Sequence, residues 1–119
     1  MRKYSVVLFN LGGPDSLESV EPFLYNLFSD PDIFKIPFGQ KVFAKLLSAS
    51  RVKKVRERYR QIGGRSPIHD WTELQRSILQ KELNRLTEDF DVYTAMRYCK
   101  PKISEVADEI VKHNYDCLM

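Results

Sequence analysis

Hydrophobic positions along the chain follow two different periods. Tyr4, Val6, Val7, Leu8 and Phe9 form a short β-branched and aromatic run, which predicts a buried strand over residues 4–10. The run breaks at Leu11-Gly12-Gly13-Pro14-Asp15. Paired glycines open backbone angles closed to other residues and Pro14 fixes its own, so a sharp, stiff turn is expected. Leu17, Val20, Phe23, Leu24, Leu27 and Phe28 then recur at helical spacing. Pro22 fits only an early helical position, so this helix starts near it with Ser19 as the candidate cap. Ser29-Asp30-Pro31-Asp32 ends the element.

Residues 34–47 mix Phe34, Ile36, Phe38, Val42, Phe43, Leu46 and Leu47 with three lysines, and predict a loop followed by a short amphipathic helix. Val52, Val55, Tyr59 and Ile62 form the apolar stripe of a helix with a basic outer surface. Gly63-Gly64 stops it where a left-handed cap belongs. After Ser66-Pro67, Asp70 or Thr72 can cap the next helix, whose expected buried face is Trp71, Leu74, Ile78, Leu79, Leu83 and Leu86. Residues 90–98 predict a second strand, Lys100-Pro101 a break, and Ile103, Val106, Ala107, Ile110 and Val111 a last helix. Residues 115–119 resemble the opening of a third strand. The order strand, helices, strand, helix, strand predicts an α/β fold, a parallel sheet flanked by helices with ligands at the carboxyl ends of the strands. Two and a half strands do not make a fully covered sheet, so the chain is expected to be part of a larger α/β unit. Internal repeats and low-complexity stretches are absent.

Composition changes this picture little. The 119 residues are 43% hydrophobic and 29% charged, ordinary for a globular protein. No stretch approaches the roughly 20 apolar residues of a membrane span. The apolar run after Met1-Arg2-Lys3 is too short for a signal peptide and lacks a small-residue cleavage site, so a cytoplasmic location is expected. Cys99 and Cys117 have no second Cys or His at metal-ligand spacing, which predicts free thiols and no zinc site.

Charge changes it more. Residues 41–65 hold nine bases (Lys41, Lys45, Arg51, Lys53, Lys54, Arg56, Arg58, Arg60, Arg65) against the single acid Glu57, within a chain whose formal net charge is only +3. An anionic partner at this segment and a merely solvated basic helix face both fit that distribution.

Candidate chemistry lies in two places. The turn at Leu11-Gly12-Gly13-Pro14 follows the first strand, where bare backbone can approach a flat or charged ligand; a tight strand-to-helix corner would look the same. It is neither a G-x-G-x-x-G fingerprint nor a Walker loop. The second place is Tyr59-Arg60-Gln61-Ile62-Gly63-Gly64-Arg65-Ser66-Pro67-Ile68. Tyr59 there should pack its ring while its hydroxyl seeks a partner, and with Arg51 and Ser66 it can bind a carboxylate through a guanidinium fork and two hydroxyls. A core tyrosine, a capping serine and a surface arginine are the plainer alternative. His69 lies in a polar connection and His113 near a helix end, and no Ser-His-Asp, Cys-His or paired-carboxylate arrangement is visible.

These motifs together resemble the ferrochelatase family. Asn10-Leu11-Gly12-Gly13-Pro14-Asp15-Ser16-Leu17 is similar to the opening of that family, as is Val20-Glu21-Pro22-Phe23-Leu24-Tyr25-Asn26-Leu27-Phe28-Ser29-Asp30-Pro31-Asp32-Ile33. The Tyr59-to-Ile68 run and the Met96-Arg97-Tyr98 step follow in order. The resemblance implies a chelatase-like (Rossmann-like) fold of two α/β domains about a cleft. Residues 1–119 would be the amino-terminal part of the first domain, with the rest of that domain and all of the second absent. It implies an enzyme, a lyase of haem biosynthesis that inserts Fe2+ into a porphyrin, protoporphyrin IX or coproporphyrin III.

By position, the resemblance assigns Leu11, Arg51, Tyr59, Ser66, Arg97 and Tyr98 to porphyrin binding. Leu11 would lie against the macrocycle; other members carry Tyr or Met there, and leucine packs but does not coordinate iron. Arg51, Tyr59 and Ser66 would meet the propionates, and Arg97 and Tyr98 would stand at the end of the second strand, facing the cleft. The family's catalytic histidine and its acidic partner would lie beyond Met119, so no catalytic residue, metal ligand or cofactor is assigned to this segment. Any iron–sulfur cluster would be held there too. The apolar and basic segment 34–47 corresponds to the lip of the cleft and suits either peripheral contact with a membrane or a lid docking on its own protein. The alternative to an enzyme is a non-catalytic α/β binding module using segment 41–65 for an acidic partner; sparse interleaved aromatics argue against nucleic acid.

Overall fold

A computed structural model of the chain describes residues 2–119. The elements run β1 (Tyr4–Asn10), α1 (Val20–Phe28), α2 (Gln40–Gln61), α3 (Ile68–Leu86), β2 (Phe90–Met96), α4 (Ile103–Lys112) and β3 (Cys117–Leu118). Two compact units result, Met1–Gly12 with Ile68–Met119, and Gly13–Pro67 between them in sequence.

The first unit is the α/β layer. All pairing is parallel and the strand order is β2-β1-β3, so β1 lies between the other two. Tyr4 to Asn10 pair residue for residue with Phe90 to Met96, and Tyr4 and Ser5 pair with Cys117 and Leu118. The expected third strand is therefore present, and backbone bonds at 2.8 Å from Met119 N to Ser5 O and from Val7 N to Met119 O carry its pairing on. Val7, Ala95, Val106 and Ile110 form the core between β1, β2 and α4, joined by Tyr93 and Tyr115. Val106 and Ile110 stand four apart on α4, one helical turn on the same face.

The second unit is a helical hairpin. Val20, Leu24 and Phe28 recur every four residues along α1 and pack on Ala44 of α2, with Leu47, Val52, Val55 and Tyr59 alongside. Full burial of each such apolar side chain contributes about 1.5–3 kcal/mol. Ser19 is the residue before α1, as expected, but its hydroxyl does not cap the helix. It donates instead to Asp15 Oδ1 (2.6 Å), tying the turn to itself.

Four expectations are corrected. The short helix ending near residue 47 and the basic helix after it are one helix, α2. No glycine or proline interrupts 40–61, and the Ser48 and Ser50 hydroxyls bond back to Lys45 O and Leu47 O rather than breaking the helix. The third helix begins at Ile68, directly after Pro67, so Asp70 and Thr72 lie inside it; Thr72 Oγ1 donates to Ile68 O at 2.7 Å. The buried side of α3 is also different, because Trp71, Leu74, Ile78 and Leu86 are exposed and Thr72 is its one buried residue. What faces the sheet includes Arg76 and Gln80: Gln80 Nε2 donates to Phe90 O and Gln80 Oε1 accepts the Val92 amide, both at 2.7 Å. Finally, Ile62 leaves the apolar stripe, being the exposed cap residue of α2.

Candidate functional site

In the α/β unit the carboxyl ends of β1 and β2 are laced by backbone bonds. Arg97 N donates to Asn10 O (3.0 Å), Tyr98 N to Leu11 O (3.1 Å) and Met96 N to Pro101 O (2.7 Å). The residue after each strand is thereby held in place. Leu11 is 52% exposed, an apolar side chain presented at a strand end. Its own amide is taken by the Asn10 side chain at 2.9 Å.

Gly12 follows with φ +88, and a Cβ there would overlap Cys99 Sγ. Only glycine fits, for both conformation and space. Of the two residues placed after β2, Arg97 is exposed and Tyr98 is buried at 4%. The Arg97 guanidinium carbon sits 5.5 Å from the Tyr98 ring centroid, so the phenol ring is the platform and the guanidinium is the group presented to solvent.

In the helical unit Arg51, Tyr59 and Ser66 have distinct environments. Arg51 is exposed on α2 and shares an open groove of about 300 Å³ with Lys54, Val55 and Arg58. Three cations around one groove are a suitable seat for a carboxylate. Lys54 and Arg58 were named above only as part of the basic segment; where six of the ten residues 51–60 are basic, spacing alone does not select them.

Tyr59 packs into the hairpin core, and burial pushes its phenol above the ordinary value. It therefore stays neutral and can donate a hydrogen bond, without adding charge. Its carbonyl accepts the Gly64 amide (2.7 Å) while Gly63 N reaches Arg60 O (3.4 Å), and both glycines have positive φ. These paired bonds form the expected left-handed helix stop. The stop leads directly to Ser66, which is buried at 9% and whose amide donates to Pro14 O at 2.7 Å. The Gly13-Pro14 turn and the Ser66-Pro67 loop are thus pinned to each other.

His69 is not in a loop, as its polar neighbours suggested, but in the first turn of α3, with Nε2 3.7 Å from Cys99 Sγ. His113 caps α4 and meets Glu109 at 3.0 Å. The carboxyl of Glu109 is held below its usual value by the His113 hydrogen bond and the Lys112 charge. Neither Cys99 nor Cys117 is in a disulfide. Among the described residues no group of three or more His, Cys, Asp or Glu is arranged to hold a metal ion. No helix among them is long and apolar enough to cross a membrane.

A protein-family model described as Ferrochelatase matches residues 3–119. The ferrochelatase of Aquifex aeolicus is 54% identical over 110 residues, covering 92% of this chain and 34% of the relative. That of Rickettsia bellii is 46% identical over 115 residues, covering 95% and 32%. That of Nostoc punctiforme is 43% identical over 121 residues, covering 100% and 31%. The chain spans about a third of the length of the curated relatives it matches.

Proposed function

The chain belongs to the ferrochelatase family, and we propose that it is the amino-terminal part of the first α/β domain of a two-domain enzyme that inserts Fe2+ into a porphyrin for haem synthesis. Iron and the porphyrin, protoporphyrin IX or coproporphyrin III, are the substrates. The observation that carries this reading is the match of the family model over residues 3–119.

The chemistry sets what the residues must do. A flat macrocycle carries two pyrrole N–H protons where the metal is to go, and bending it turns the nitrogen lone pairs toward one face. Binding energy from the ring face and its propionates can be directed into that distortion. In this reading Leu11 offers apolar contact to the macrocycle. Arg97, braced on Tyr98, and Arg51 supply cationic partners for propionates, with Lys54 and Arg58 beside Arg51 adding charge at the same groove. The neutral phenol of Tyr59 and the hydroxyl of Ser66 are assigned single hydrogen bonds. No proton-accepting catalytic residue is assigned within residues 1–119.

The location proposed is cytoplasmic and peripheral to a membrane. Phe38 (92% exposed), Val42 and Leu46 are exposed among Lys35, Lys41 and Lys45, a combination suited to an interface of acyl chains and anionic headgroups.

The test uses the full-length enzyme. Arg51→Ala with Tyr59→Phe is expected to raise the porphyrin KM with a smaller effect on kcat, and unchanged kinetics would remove both assignments. Soret-band titration of the 119-residue chain at two salt concentrations separates this reading from a purely electrostatic module. Porphyrin binding supports the cleft reading; salt-sensitive binding of acidic partners with no porphyrin response supports the module.

A further inference from the structure

We propose that Cys99 and His69 form a nucleophilic pair, making Cys99 a site of thiol–disulfide exchange with small-molecule disulfides. His69 Nε2 lies 3.7 Å from Cys99 Sγ, within hydrogen-bond reach for sulfur. The two residues are 30 apart in sequence and belong to different segments of the α/β unit, the first turn of α3 and the loop after β2. The assigned porphyrin chemistry uses neither.

The sequence around Cys99 is basic. Arg97, Lys100 and Lys102 flank Cys99, and no acid occurs between Asp91 and Glu105. A thiolate in electropositive, partly exposed surroundings is the reactive form of cysteine, and Cys99 is half-buried.

The step balances without an added oxidant. His69 Nε2 takes the thiol proton, and the Cys99 sulfur attacks one sulfur of the disulfide. The S–S bond of the small molecule breaks as the new one forms, and its departing thiolate takes the proton from His69. Cys99 is oxidised to a mixed disulfide and half of the small molecule is released as a thiol.

The sulfur also touches the turn after β1. A Cβ on Gly12 would overlap Cys99 Sγ, so no spare volume separates them. A second sulfur on Cys99 must either point away from Gly12 or displace it, and modification is read at the Leu11–Gly13 turn.

Single-cysteine proteins test this. Cys117→Ser leaves Cys99, and Cys99→Ser leaves the more exposed Cys117. With an aromatic disulfide as probe at neutral pH, Cys99 is expected to react about tenfold faster than Cys117 despite its lower exposure. Equal or slower reaction would overturn the proposal. Adding His69→Asn to the Cys117→Ser protein should abolish the advantage, with His69→Gln as a second variant. Retention of the fast rate in either folded variant overturns the role of His69. In the mixed disulfide the Gly12 amide resonance is expected to move; an unmoved resonance overturns the coupling to the turn.

Discussion

The Asn10 side chain is bonded at both ends, its Oδ1 accepting the Leu11 amide at 2.9 Å and its Nδ2 donating to Thr72 Oγ1 at 3.3 Å. Thr72, buried at 3%, donates its own hydroxyl hydrogen bond to Ile68 O. One amide thus ties the last residue of β1 to the exposed Leu11 and to the start of α3.

Replacing Asn10 by Ala should cost about 1 kcal/mol, since the buried Thr72 hydroxyl loses a donor while keeping its bond to Ile68 O, and water can take the exposed Leu11 amide. Asn10→Asp keeps the acceptor for Leu11 but loses the donor to Thr72, and should fall between the two. Urea unfolding of the three proteins gives the order.

Two glycines with positive φ separate conformation from space. Gly63 (φ +103) has nothing within 4 Å of an added Cβ, so Gly63→Ala should cost only the left-handed penalty, about 1 kcal/mol. Gly12→Ala adds overlap with Cys99 and should cost roughly 2–4 kcal/mol. Shortening Cys99 to Ala in that background should return part of the loss. Denaturant midpoints of the single and double variants check the coupling.

Alkaline stability should depend on Tyr115. Burial, with hydrogen bonds to Asp91 and to Tyr93 (2.7 Å), raises its phenol well above the ordinary tyrosine value of about 10. The folded state therefore prefers the neutral phenol. The contribution is fully present below the unfolded value and is lost as pH rises from about 10 toward the folded value. Tyr115→Phe should flatten the fall in stability above that pH, while lowering stability at neutral pH. Unfolding midpoints measured on both sides of pH 10 read both effects.

At the acid end the group to watch is Glu73, held below the ordinary glutamate value by the Arg76 hydrogen bond. Its contribution is present above that value and lost as pH falls through the lower folded one. The carboxylate is largely exposed, so the effect is small. Arg76→Gln should reduce the loss of stability on acidification, as read by melting temperature from neutral pH downward.

Much of this was legible in the residues. The strands, the glycine stop after α2 and the third strand follow from runs of β-branched residues and from Gly63-Gly64, where local chemistry decides. The face of α3 was not legible, because Gln80 and Arg76 meet the backbone of β2 through hydrogen bonds that hydrophobic periodicity does not register. Trp71, Leu74 and Ile78 have helical spacing but are exposed. The continuity of α2 was hidden by a change of character at its middle, from apolar with lysines to strongly basic, although nothing there interrupts a helix. Outside the candidate site, the Cys99–His69 contact joins residues 30 apart in sequence, so only the tertiary fold brings it out.

The parallel order β2-β1-β3 has a consequence for synthesis. Tyr4 waits for Phe90, and later for Cys117, before its strand has a neighbour on either side. The hairpin of α1 and α2, with only short-range closures to make, can condense on the emerging chain long before that. A hydrophobic strand is therefore left without its ladder while residues 11–89 are made, and this interval is where a chaperone or a misplaced strand from another chain has its opportunity.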